Sequence, residues 1–156
     1  MREFEKQLAK LRRWCAMQER CIVEVKIHAS SLGISSANAE KIVAALTDEG
    51  FIDEERFAKL YAGGKFRNKK WGRERIVGEL RARQIGENAI REGISEIDAE
   101  EYRKNIIEMV EHKIAVTDHS NVVLFKHRLA KPAIAKGYET ELVNEVIEEL
   151  MKNKGI

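Results

Sequence analysis

Three copies of one apolar pattern, roughly 52 residues apart, constrain this chain more than any other feature. Their anchors are Gly33-Ile34, Gln84-Ile85 and Gly137-Tyr138. Six positions after each anchor stands Ala39, Ile90 or Val143, and ten after stands Val43, Ile94 or Ile147. Thirteen after stands Leu46, Ile97 or Leu150, and eight before stands Val25, Ile76 or Leu129. Offsets of six, ten and thirteen share one face of an α-helix, so each copy reads as helix, turn at the anchor, helix. A single copy of this size cannot bury its apolar face alone. Copies stacked in a row can, and the surface they build suits binding better than catalysis.

The remaining segments also read as helix. Phe4, Leu8, Leu11 and Cys15 recur at helical spacing, with Trp14 broadening the stripe, which predicts a helix over about 3–18. A second helix runs from about Ile22 to Leu32 and stops at Gly33, and Ser35 or Ser36 can cap a third that ends near Gly50. Asp53 opens the next unit as an N-cap, and Gly63-Gly64 weakens its first helix near the end. The second helix of that unit begins after Gly72, and a short third carries Ile90 and Ile94. Asp98 and Glu101 have the spacing of a capping box, and Thr117-Asp118-His119-Ser120 reads as a loop. Pro132 falls inside a predicted helix, where it either kinks the helix or starts a separate turn. No segment alternates as a strand does. The expectation is an all-α chain of three tandem three-helix repeats, at 1–52, 53–97 and 98–156, forming an elongated, curved array.

Residue types that carry chemistry are sparse. His28, His112, His119 and His127 form no His-Glu-x-x-His motif, and the chain has neither a phosphate-binding loop nor a dinucleotide fingerprint. Cys15 and Cys21, the only cysteines, match neither a zinc pair nor a Cys-x-x-Cys redox motif and read as buried thiols in a reducing compartment. No apolar run is long enough to span a bilayer, and Met1-Arg2-Glu3-Phe4-Glu5 lacks the apolar core of a signal peptide, so a cytoplasmic protein is expected.

The net charge of +2 is unevenly placed. Lys65, Arg67, Lys69, Lys70, Arg73, Arg75, Arg81 and Arg83 crowd into one stretch against Glu74 and Glu79, while acids dominate 87–111 and 139–149. Such a basic centre attracts phosphates through counterion release and attracts acidic protein surface equally well. Trp71, in its middle, suits either a core plug or a platform on which a base or partner stacks. The candidate binding residues are these eight cations and Trp71.

The residues now in view resemble the RecX family of bacterial regulators of the recombinase RecA. Gly50-Phe51-Ile52-Asp53-Glu54-Glu55-Arg56-Phe57-Ala58 is similar to that family's Gly-hydrophobic-hydrophobic-Asp-Asp/Glu-x-Arg-Phe-Ala signature. Gly72-Arg73-Glu74-Arg75-Ile76 with Glu79-Leu80 resembles its Gly-x-x-Arg-Ile-x-x-Glu-Leu segment. Two stretches depart from the pattern. Arg83-Gln84 stands where the family usually has Lys-Gly, and Ala133-Ile134-Ala135-Lys136-Gly137-Tyr138 replaces Leu-x-x-Arg-Gly-Phe. The resemblance implies a non-enzymatic regulator without cofactor or metal, acting in DNA recombination, DNA repair and the SOS response. It would bind RecA and the RecA–DNA filament as a monomer and inhibit filament growth, ATP hydrolysis and strand exchange, with direct contact to single- or double-stranded DNA left open. The alternative from another class is a helix-turn-helix transcription regulator, which needs a base-reading helix and usually a symmetric dimer.

Overall fold

The computed structural model of the chain describes residues 2–156. Those residues form nine helices and no strand: α1 (Arg2–Met17), α2 (Ile22–Ser31), α3 (Ser36–Asp48), α4 (Glu54–Lys69), α5 (Arg73–Ala82), α6 (Glu87–Ser95), α7 (Ala99–Val116), α8 (Val122–Ala135) and α9 (Thr140–Lys154). They repeat as three sets of three.

The anchors found in sequence mark the same local structure each time. Gly33, Gln84 and Gly137 all have positive φ, at 77°, 59° and 97°. The amide of the next residue reaches back five positions: Ile34 to Ala29, Ile85 to Leu80 and Tyr138 to Ala133, at 3.0–3.1 Å. This left-handed C-terminal turn satisfies carbonyls that the helix end would leave bare. Gln84 does it without glycine, which alone tolerates such φ freely. The apolar positions flanking the anchors point inward: Val25, Ile76 and Leu129 before them and Ala39, Ile90 and Val143 after them are all buried.

Helix starts follow from short polar side chains. Ser35 accepts the Asn38 amide at 3.2 Å, Asp53 the Arg56 amide at 3.0 Å, Asp98 the Glu101 amide at 2.9 Å and Asn121 the Leu124 amide at 3.1 Å. Gly63 and Gly64 do not end α4, which continues to Lys69. The Arg67 guanidinium lies back along the helix, 2.8 Å from where a Gly63 Cβ would stand. Pro132 lies within α8 and does not start a separate turn.

The chain divides into two compact units. One comprises Met1–Leu60 and Leu80–Gly93, the other Tyr61–Glu79 and Ile94–Ile156. The helices of the middle repeat are shared between them. In the first unit, Leu8, Leu11 and Cys15 of α1 pack with Val25 and Ala29 of α2 and with Ile42, Val43 and Leu46 of α3. In the second, the fully buried side chains include Tyr102, Ile106, Phe125, Leu129, Tyr138 and Ile147. Each such side chain contributes about 1.5–3 kcal/mol when withdrawn from water.

Candidate interaction surface

The basic segment begins on the last turns of α4 and crosses into α5. Its backbone is held by the turn between α8 and α9. The Gly72 amide donates to the Lys136 carbonyl at 2.7 Å, and the Glu74 amide donates to the Gly137 carbonyl at 3.0 Å. The Lys136 ammonium donates to the Lys69 carbonyl at 3.2 Å, and the Tyr138 hydroxyl donates to the Lys70 carbonyl at 3.0 Å. These donors meet the exposed carbonyls and partial negative charge at the end of α4. Two glycines permit the approach. A Cβ on Gly72 would lie 2.2 Å from the Gly137 carbonyl carbon, and one on Gly137 would lie 2.4 Å from the Arg75 Cβ.

Beneath the segment sits a compact polar hub. The Arg73 amide donates to the Tyr102 hydroxyl oxygen at 2.9 Å, and its guanidinium lies 3.9 Å from the Tyr102 ring centre. That guanidinium also donates to Glu139 at 2.8 Å, and the Tyr102 hydroxyl donates to the other Glu139 oxygen. Burial alone would raise the Glu139 carboxyl. The bonds from Tyr102 and Arg73 outweigh it and hold the carboxyl below the ordinary 4.5. Burial, and then the bond to Glu139, push the Tyr102 hydroxyl well above its usual range, so it stays a donor.

The candidate cations therefore differ in kind. Arg73 is committed to Glu139, and Arg81 pairs with Glu87 at 2.8 Å. Arg83, half-buried, is also engaged within the molecule. Lys65 and Arg75 stand over the ring of Trp71, at 5.0 and 4.2 Å from its centre. Trp71 is half-buried, neither a core plug nor a bare platform, and a stacking base would first have to displace a cation. Arg67, Lys69 and Lys70 are exposed and make no ion pair with any described residue. Lys65 through Arg75 lie in the second unit, whereas Arg81 and Arg83 lie in the first.

Sequence reasoning missed Lys136, Tyr138 and Glu139, which hold the basic segment in place. It also missed Lys104, which faces Arg67 and Lys70 across a cleft in the second unit. Lys104 was hidden in a stretch that reads as acidic. Among the described residues no cluster of histidine, cysteine or acidic side chains has the makings of a metal site. No helix is long and apolar enough to cross a membrane.

Three-helix sets in tandem define an all-helical repeat fold, and comparison with known proteins says which proteins it is similar to. Residues 53–94 match the family model described as RecX, second three-helix domain. The chain is 22% identical over 140 residues to the regulatory protein RecX of Lactobacillus johnsonii, covering 88% of this chain and 51% of that one. It is 27% identical over 127 residues to the regulatory protein RecX of Clostridium tetani, covering 80% and 58%. The chain thus spans little more than half the length of these curated relatives. Its fold matches the crystal structure of RecX from Lactobacillus salivarius with a TM-score of 0.84 at 18% identity, covering 94% of this chain and 96% of that one. A second RecX crystal structure matches with a TM-score of 0.81 at 16% identity, over 94% and 73%. The chain is thus similar to RecX proteins in sequence and in fold, and the resemblance read from its motifs holds.

Proposed function

We propose that this chain is a cytoplasmic regulator that acts by binding and not by catalysis. It binds RecA and the RecA filament on DNA as a monomer, and restrains ATP hydrolysis, filament growth and strand exchange. Repeats bounded at 1–52, 53–97 and 98–156 are its proposed units of duplication. One observation carries the reading. Arg67, Lys69 and Lys70, at and just past the end of α4, have no ion partner among the described residues, on a backbone tied down by the α8–α9 turn, inside the stretch that matches the second RecX domain. Cations held on a fixed backbone lose less freedom when they meet a partner, so more of their attraction is left for binding. Occupying the filament surface in this way would oppose further growth.

The transcription-regulator reading fares worse. In a helix-turn-helix the second helix of the motif enters the major groove. The helices at that position here are α3, α6 and α9, and in each one acids outnumber bases. Such helices are repelled by phosphate.

The test is RecA-dependent ATP hydrolysis on single-stranded DNA, with the parent and with Arg67→Gln, Lys69→Gln and Lys70→Gln combined. Glutamine removes the charges without placing acids at a helix C-terminus, where each would cost about 0.3–1 kcal/mol. The parent should inhibit, and the folded triple variant should not. A triple variant that inhibits as the parent does would move the contact surface elsewhere. A parent that neither binds nor inhibits RecA would end the proposal.

A further inference from the structure

The second unit carries a cleft of about 280 Å³ lined by charges of both signs. Arg67 and Lys70 from the end of α4 form one wall, and Glu101, Lys104 and Glu108 from α7 form the other. The aromatic side chain of Phe66 lies at its base, buried. Five charged groups of both signs thus share one concave site, yet none makes an ion pair with another or with any described residue. Several other charges of the same unit pair with each other instead. Arg73 pairs with Glu139, Arg103 with Glu149 and Lys126 with Glu148.

The cleft is also built to hold its shape. Asn105, on its wall, donates to the Tyr138 hydroxyl at 3.3 Å, and that hydroxyl donates to the Lys70 carbonyl at 3.0 Å. The chain of bonds fixes the end of α4 against α7. Lys70 itself has φ 56°, a left-handed conformation that glycine takes freely and a β-carbon disfavours. Gly33, Gly50 and Gly137 take positive φ at other helix ends. At this helix end a lysine stands instead, and it lines the cleft.

We propose that this cleft seats a protein segment in which an acidic side chain adjoins a basic or amide one. The acid lies among Arg67, Lys70 and Lys104, and its neighbour donates to Glu101 and Glu108. The two glutamates select against a phosphate backbone, which offers only negative charge. The proposal rests on the reading of the chain as a filament regulator, and it places the protein contact, rather than the DNA contact, at α4 and α7.

The experiment measures binding of the full chain to two probes. One is RecA assembled on oligo-dT with a slowly hydrolysed nucleotide analogue, and the other is oligo-dT alone. Lys104→Gln and Lys70→Gly should each weaken filament binding roughly tenfold and change binding to bare oligo-dT less than twofold. The Lys70→Gly protein should melt at or above the parent temperature, since glycine relieves the left-handed backbone, so unfolding would not explain its loss. Glu101→Lys combined with Glu108→Lys should also weaken filament binding. If that double variant instead binds both probes more tightly, the cleft takes phosphate and the protein occupant is wrong. Filament binding unchanged by Lys104→Gln would overturn the site while leaving the regulator reading standing. A parent that binds oligo-dT but not the filament would sink the regulator reading first, and the cleft proposal with it.

Discussion

A methyl group at Gly72 would lie 2.2 Å from the Gly137 carbonyl carbon, against backbone that cannot turn aside. Gly72→Ala should therefore part the basic segment from the α8–α9 turn and lower stability by about 2 kcal/mol or more in a denaturant melt. Gly78 supplies the matched control. It is within α5, with open space where its Cβ would be and no positive φ, so Gly78→Ala should raise stability by about 0.5–1 kcal/mol. Equal effects at the two sites would mean that the close approach is not what Gly72 serves. Glu139 gives a second test at this scale. Its carboxyl titrates below the ordinary 4.5 in the folded chain, so it binds its proton more readily when unfolded. The stability it adds is complete above the unfolded pKa and is lost as pH falls through the lower folded one. Parent and Glu139→Gln should thus differ most in melting temperature near neutrality and converge as pH drops below about 4.5. A gap that stays constant down to pH 3 would assign the residue's role to packing instead of charge.

Among the elements, the turns were the most legible. The three anchors that repeat in sequence are the three left-handed helix ends, and even Gln84, without glycine's freedom, was found by its offset from the apolar positions around it. Periodicity of this kind reports backbone conformation because the same packing problem is solved three times. The length of α4 was less legible. Two adjacent glycines weaken the helix near its end, but propensity is a weak prior, and the helix continues through them to Lys69. Pro132 shows the same override. It is interior to α8, where it lacks the amide that would bond to the Arg128 carbonyl. Leu129 and Ala133 of that helix are buried on either side of it, so packing holds the helix in spite of the missing bond. Pro132→Ala should restore the bond and raise stability by about 1–3 kcal/mol, read as a higher melting temperature with more helical circular dichroism. A lower melting temperature would show that the ring's packing or its fixed φ outweighs the missing bond.

For the chain as a whole, the sequence showed where cations are concentrated but not which of them are free. The bond between Arg73 and Glu139 joins residues 66 apart, and no local pattern marks it. Lys104 was lost for the opposite reason: its helix neighbours are acids, and only the fold brings it to face Arg67 and Lys70. This difference between paired and unpaired cations should govern the salt dependence of binding. A cation that binds a phosphate or an acidic surface displaces salt ions, and removing one such contact lowers the slope of log affinity against log salt by about 1. A cation already neutralised by an internal acid has little to add. Removing Arg67, Lys69 and Lys70 together as glutamines should therefore flatten the salt slope of filament binding by about 1 or more. Arg81→Gln removes a charge that Glu87 already neutralises and should leave the slope unchanged. Arg73→Gln should cost stability through Glu139 and Tyr102 and likewise leave the slope of the folded protein unchanged. Slopes measured from 50 to 300 mM salt decide the matter. If Arg81→Gln flattens the line as far as the triple variant does, its bond to Glu87 gives way to the partner, and internal pairing is not what selects the contact residues.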